Sequence, residues 1–228
     1  IYIDLTGVIL KNRYCIISQI GKGGQGTMYL ARDMELGTFW AIKQLPLSMK
    51  KEAELLRRLN HSSLPRMTDY TEQDDKCYLV MEYIKGKSLN EYLKTNNLLS
   101  FEEILTITRT ILRIFQYLHS QKPPIYYGDL KPENLMRTET GKIYLVDFGS
   151  ALYSYGTVRK NIKGTKGYAA PEQYQGMLTA ASDFYALGKT IQQLCGRNKY
   201  PYYMRSPQFA KFISKCCRED ANRRWQNV

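Results

Sequence analysis

The chain of 228 residues is 43% hydrophobic and 24% charged, with a formal net charge of +12, and it has enough apolar material to bury a full core in one compact unit or in two lobes sharing a cleft. No run approaches the ~18 apolar residues of a membrane span, and Cys15, Cys77, Cys195, Cys216 and Cys217 form no Cys-x-x-Cys pair, which argues against a zinc ribbon or a secreted disulfide framework and for a reduced, cytoplasmic setting. Lysines and arginines are spread along the chain without a block or a base-stacking motif, so the charge reads as a solvated surface and not as a nucleic-acid face.

The chain opens on the strand-like Ile1-Tyr2-Ile3 with no cationic and then apolar leader, as an excised domain would. Residues 14 to 45 read as three strands, Cys15 to Ile20, Thr27 to Asp33 and Phe39 to Leu45, joined by glycine-containing turns. A helix is expected over Lys50 to Asn60, where Glu52, Leu56 and Leu59 fall on one face while Glu54 lies on the other side with Arg57 and Arg58. Glu52 therefore belongs to the inward stripe. Strands near Arg66 to Thr71 and Lys76 to Glu82 complete a small, sheet-rich lobe.

After Lys85-Gly86-Lys87 the pattern turns helical. Ser100 and Glu103 form a capping box ahead of Ile104, Ile107, Ile111, Phe115 and Leu118, the stripe of a long core helix. Pro123-Pro124 closes it, a loop carries Asp129 to Asn134, and a short hairpin around Gly141-Lys142 leads to Asp147. Further helices are expected over Ser182 to Cys195, stopped by Gly196, and over Pro207 to Arg218, with Phe209, Phe212, Ile213 and Cys216 as its apolar stripe.

Gly21-Lys22-Gly23-Gly24-Gln25-Gly26 fits G-x-G-x-x-G. A dinucleotide-binding fold needs a helix to start here, whereas Thr27 to Ala31 reads as a strand, giving a hairpin whose bare N–H groups can approach phosphate. A hairpin without a ligand stays open on these glycines alone. Lys43 shares by period two a face with Phe39, Ala41 and Leu45, where it needs an anion: Glu52 is the natural partner and a nucleotide's α/β-phosphates the natural ligand. Taken by itself, Lys43 reads as a snorkelling edge lysine. Asp129 can accept a hydrogen bond from an attacking hydroxyl, Asn134 offers a neutral oxygen and Asp147 a charged one, as Mg²⁺ beside a nucleotide requires. Lys131 can neutralise charge on a transferred phosphoryl group.

Asp-Leu-Lys-Pro-Glu-Asn at 129–134 and Asp-Phe-Gly at 147–149, with the glycine cluster and Lys43, make nearly the whole chain resemble the eukaryotic-like (Hanks-type) protein kinases, most of all the bacterial serine/threonine kinases. The resemblance implies an α+β, bilobal fold: residues 1–82 an antiparallel-sheet N-lobe with one main helix, 83–87 a hinge, and 88–228 a larger, mainly helical C-lobe that is minimal or cut short. It implies ATP and Mg²⁺ (or Mn²⁺) as cofactors and a protein substrate, with Gly21 to Gly26 over the phosphates and Lys43 and Glu52 paired beside them. Met28, Ala41 and Met136 would sandwich adenine, Met81 would be the gatekeeper, and Glu82, Tyr83 and Ile84 would read the base. Lys131 fits the serine/threonine subclass. Ala170-Pro171-Glu172 resembles the end of the activation segment and Gly164-Thr165 the loop that receives the substrate residue; Arg224 matches the buried partner of Glu172, and Asp183 the residue that fixes the catalytic-loop backbone.

Two departures bear on function. Tyr127-Gly128-Asp129 stands where the family usually carries His-Arg-Asp, and without that arginine activity is expected to depend little on loop phosphorylation, Ser154 and Thr157 remaining the candidate sites. The stretch between Gly196 and Pro207 is too short for the usual docking helix, so substrate choice falls to the activation segment, whose Arg159, Lys160, Lys163 and Lys166 would favour acidic neighbours if they are more than solvated charges. A pseudokinase scaffold, or a kinase-fold enzyme acting on a small molecule or a specialised peptide, are the alternatives; the intact Gly164-Thr165 and Ala170-Pro171-Glu172 favour a protein substrate. The sequence leaves the oligomeric state open.

Overall fold

A computed structural model describes residues 5–23, 26–95, 98–154, 164–196, 202 and 205–228. Gly24, Gln25, Thr157, Arg159, Lys160 and Lys163 lie outside the described residues, as does most of the stretch expected to be a docking stub. The chain divides into two compact units, Ile1–Lys85 and Gly86–Val228. Among the described residues no helix is long and apolar enough to cross a membrane.

The first unit is a six-stranded antiparallel sheet, β1 (Ile9–Leu10), β2 (Tyr14–Gly23), β3 (Gly26–Asp33), β4 (Phe39–Pro46), β5 (Met67–Gln73) and β6 (Lys76–Glu82), in the order β1-β2-β3-β4-β6-β5. Tyr14, Ile16, Tyr29, Ala31, Ile42, Tyr78 and Val80 bury one face, and at roughly 1.5–3 kcal/mol per large apolar side chain that burial sets the register. The glycine run is a hairpin, pairing Gly21 with Met28, Lys22 with Thr27 and Gly23 with Gly26. Gly26 has no substitute here: at φ +152° a Cβ would run into the Gln44 carbonyl and lie 2.7 Å from Leu45 Cδ2.

The α-helix among the described residues of this unit, α1 (Lys51–Leu56), is shorter than the 50–60 span expected. After Leu56 the Arg58 and Leu59 amides bond three residues back, to Leu55 and Leu56, so the helix tightens into turns. The facing is as the periodicity predicts: Glu52, Leu56 and Leu59 are buried and Glu54 is exposed.

In the second unit Gly86 and Lys87, assigned by sequence to the connector, form β7 (Gly86–Ser88) and pair with Thr138 and Arg137 of β9 (Leu135–Thr138). Ser88 then caps α2 (Leu89–Lys94) in a second capping box with Glu91. The helix α3 (Phe101–His119) starts on the expected Ser100–Glu103 box and buries Ile104, Ile107, Ile111, Phe115 and Leu118; it ends four residues before the Pro pair. The strands β8 (Ile125–Tyr126) and β11 (Leu152–Tyr153) pair across the loop that carries Asp129, and β10 (Ile143–Leu145) completes the expected hairpin with β9. The helix α4 (Ala180–Leu194) backs the loop and α5 (Pro207–Cys216) packs on α4, with Phe184 of α4 edge-on to Phe115 at 6.3 Å and Phe209 of α5 edge-on to Phe101 at 5.6 Å.

Candidate active site

Within the first unit β3, β4 and β6 bring four of the expected residues onto one face. Met28 lies opposite Lys43, and Ala41 opposite Met81, and directly paired residues on antiparallel strands share a side of the sheet. Ala41 and Met81 are buried, and Met28 is half-buried. Lys43 and Glu52, 6% and 5% exposed, form an ion pair with Nζ 2.6 Å from Oε1. Neither charge could remain so buried without the other. Of the residues expected at the base, Glu82 and Tyr83 are half-buried and Ile84 is buried, and the Glu82 amide donates to the Arg66 carbonyl. Lys22 and Gly23 are exposed at the hairpin tip.

Within the second unit Asp129 is a hub. Its Oδ1 accepts from the Thr165 amide at 3.0 Å and the Thr165 hydroxyl at 2.7 Å, and its Oδ2 accepts from Lys131 Nζ at 3.0 Å. Lys131 also donates to the Thr165 hydroxyl at 2.7 Å. Asn134 Nδ2 donates to the Asp129 carbonyl at 2.9 Å, and the Val146 amide donates to the Asn134 carbonyl at 2.9 Å, which draws the residue before Asp147 onto the same loop. Asp147 has φ +64°, a region L-residues enter at a cost, and its Oδ1 accepts from the Gly149 amide. Phe148 is buried edge-on against Tyr127, whose hydroxyl donates to the Val146 carbonyl at 2.6 Å.

The donor set suits a hard divalent cation. With Nδ2 of Asn134 committed to the backbone, its Oδ1 is the atom left to face a ligand, and Asp147 adds a carboxylate; Mg²⁺ or Mn²⁺ takes this few protein oxygens when phosphate supplies the rest. Among the described residues no group of three or more His, Cys, Asp or Glu gathers to hold a metal by itself. Met136, on β9, is half-buried.

Asp183, fully buried on α4, accepts from the Tyr127 amide at 3.0 Å, the Gly128 amide at 2.8 Å and His119 Nε2 at 2.8 Å. Gly128 has φ +78°, which glycine adopts without strain. Glu172 takes a bidentate pair from Arg224 at 2.7 and 2.9 Å and a hydroxyl from Ser182 at 2.7 Å. Burial pushes the Glu172 carboxyl up, but the hydrogen bonds from Arg224 and Ser182 outweigh it and hold the group below its ordinary 4.5. Burial beside Glu133 pushes the Tyr168 phenol up to about 12. Ser154, just past β11, is half-buried, with its amide donating to the Pro124 carbonyl.

His119, Gln173 and Ser182 escaped the sequence reading. Each acts on a partner between 10 and 64 positions away, and no local pattern marks a single polar residue for such a contact.

The family model described as protein kinase domain matches residues 14–204. The serine/threonine-protein kinase PrkC of Bacillus subtilis is 35% identical over 204 residues, which cover 83% of this chain and 31% of that protein. Serine/threonine-protein kinase B of Synechocystis sp. is 35% identical over 213 residues, 81% of this chain and 37% of that protein. MAP3K epsilon protein kinase 1 of Brassica napus is 31% identical over 218 residues, 89% of this chain and 16% of that protein. The chain spans about a third of the length of the two bacterial relatives.

Proposed function

The chain belongs to the protein kinase family, and from that membership we propose that it transfers the γ-phosphoryl group of ATP to serine or threonine hydroxyls of a protein substrate. The observation that carries the reading is the Thr165 hydroxyl, held 2.7 Å from both Asp129 Oδ1 and Lys131 Nζ: this pair of side chains grips an aliphatic hydroxyl. A substrate hydroxyl held in the same way hands its proton to Asp129 as its oxygen bonds to phosphorus and the bond from γ-phosphorus to the bridging oxygen breaks, leaving ADP. Lys131 offsets the negative charge that grows on the transferred group.

Asn134 and Asp147 would hold the Mg²⁺ or Mn²⁺, which when bound neutralises charge on phosphate oxygens. Lys43, steadied by Glu52, is the group for the nucleotide's phosphates, with the Gly21 to Gly26 hairpin closing over them. Met28, Ala41, Met81, Glu82, Tyr83, Ile84 and Met136 would receive the base. Gly128 makes this a kinase without the loop-phosphate arginine, with Asp183 holding the Tyr127 and Gly128 amides before Asp129, and Thr165 and Lys131 holding Asp129 itself.

The test is transfer of labelled γ-phosphate from Mg-ATP to the chain itself and to a generic acceptor protein. Asp129→Asn is expected to lower the rate by about 10²–10⁴-fold, the usual contribution of a general base. A wild-type chain that is stabilised by nucleotide yet transfers nothing would overturn the reading in favour of a binding scaffold.

A further inference from the structure

Gly128 carries no side chain through which a loop could act on it, yet its backbone is held from both ends. Its N–H donates to Asp183 Oδ1 at 2.8 Å, and its carbonyl accepts from Gln173 Nε2 at 2.9 Å. Gln173, 3% exposed, spends its other amide atom as well: Oε1 accepts from the Ala170 N–H at 2.9 Å. One neutral side chain therefore ties the end of the 164–170 segment to the residue that precedes Asp129. The same segment reaches Asp129 directly through the Thr165 amide and hydroxyl. It is also packed hard against the Gln173 amide, because a Cβ added to Gly164 would lie 2.9 Å from Gln173 Nε2 and 2.7 Å from Ala169 Cβ.

The Gln173 amide offers, without any charge and at every pH, the donor that the Gly128 carbonyl needs together with the acceptor that the Ala170 N–H needs. An ionised carboxylate would set lone pairs against the carbonyl, and an apolar isostere would leave two buried polar groups unmet. We propose that Gln173 is a positioning residue that sets the substrate-side loop against Asp129 by an uncharged clamp, so that assembly of the site does not wait for a phosphate on the activation segment. The inference deepens the kinase reading above and rests on it.

The test uses the purified chain and compares wild type with Gln173→Ala and Gln173→Glu. Gln173→Ala is expected to lower kcat toward a serine/threonine peptide by at least roughly tenfold while the KM for ATP stays within about twofold, a split that general loss of structure does not give. Gln173→Glu supplies a sharper readout. A carboxyl this buried takes up a proton well above its ordinary range, and protonation restores an O–H donor to the Gly128 carbonyl. The titratable and charged groups tied to this network are Glu172, Arg224, Asp183, His119, Asp129 and Lys131, all shared with the wild type, so the ratio of variant to wild-type kcat isolates the new carboxyl. That ratio is expected to rise at least roughly fivefold from pH 8 to pH 6.

In the wild-type background Ser154→Ala with Thr157→Ala is expected to leave kcat within about tenfold, that is, within about 1.4 kcal/mol of barrier. A Gln173→Ala kcat within about twofold of wild type, or a flat Glu/wild-type ratio across pH, overturns the clamp. Should Gln173→Ala fail to melt cooperatively, the ratio decides alone. If the wild-type chain transfers nothing, the kinase reading fails instead, and the clamp is judged by amide exchange at Ala170, whose acceptor Gln173→Ala removes: at least roughly tenfold faster in Gln173→Ala supports it, and unchanged exchange overturns it.

Discussion

Arg224 is wholly buried and spends every donor it has. Besides the bidentate pair with Glu172 it donates to the carbonyls of Ala181, Arg218 and Glu219, and its guanidinium lies 4.8 Å from the centre of the Tyr185 ring. Removing it leaves the Glu172 carboxylate in a low-dielectric place without its cation, held by the Ser182 hydroxyl and a backbone amide, so Arg224→Ala is expected to cost about 3–5 kcal/mol in chemical denaturation. The pH dependence carries the same sign. Because the folded carboxyl titrates below its ordinary 4.5, the wild-type pair contributes fully above that value and loses its contribution as the pH falls through the lowered one. The slope of melting temperature against pH below about 4.5 should therefore flatten in Arg224→Ala, and an unchanged slope would remove Glu172 as its source. At this scale the sequence was legible wherever a motif or a period fixed the geometry. Glu52 and Glu54 sorted themselves inward and outward because helix period alone separates them by about 200°. Gln173 did not stand out, since its meaning lies in a carbonyl 45 residues away.

The helices α2 and α3 of the second unit are held at their starts by paired side chains. In α3 the Ser100 hydroxyl accepts from the Glu103 amide at 3.2 Å while Glu103 Oε2 accepts from the Ser100 amide at 2.8 Å. The backbone amide of Ser100 above all, with Arg137 assisting at 2.6 Å from Glu103 Oε1, holds the Glu103 carboxyl below its ordinary range. Ser100→Ala should cost about 0.5–2 kcal/mol, read as a shift in denaturation midpoint at constant slope. A shift in slope would instead mean that more than the cap has been lost. These boxes were legible because they are local, four residues carrying the whole interaction. Of the elements that the sequence did not disclose, β7, β8 and β11 are two or three residues long, too short for any period to register, and exist because a distant strand supplies their partners. The shortening of α1 at its C-terminal end has a related origin, since after Leu56 the chain turns to bury Leu59 and Leu64.

For the molecule as a whole the charge of +12 acts at a distance, before any contact forms. Lys166 stands exposed in the segment that ends at the Gln173 clamp, beside the Asp129 hub, while the exposed Glu133 of the same hub pulls the other way. On the proposed kinase reading these two opposed charges offset each other, and the net field is expected to set the sign of substrate preference. A field of this kind accelerates encounter with acidic sequences and is screened over about 10 Å at 0.1 M salt. It changes kcat/KM and leaves kcat alone, because once the hydroxyl sits against Asp129 and Lys131 the long-range term has already been used. A peptide with acidic residues flanking its serine should thus outrun its neutral analogue by roughly tenfold in kcat/KM at 50 mM salt, with the advantage shrinking to roughly twofold at 500 mM. Equal salt slopes for the two peptides would show that the lysines and arginines of this surface are solvated charges with no hand in choosing the substrate.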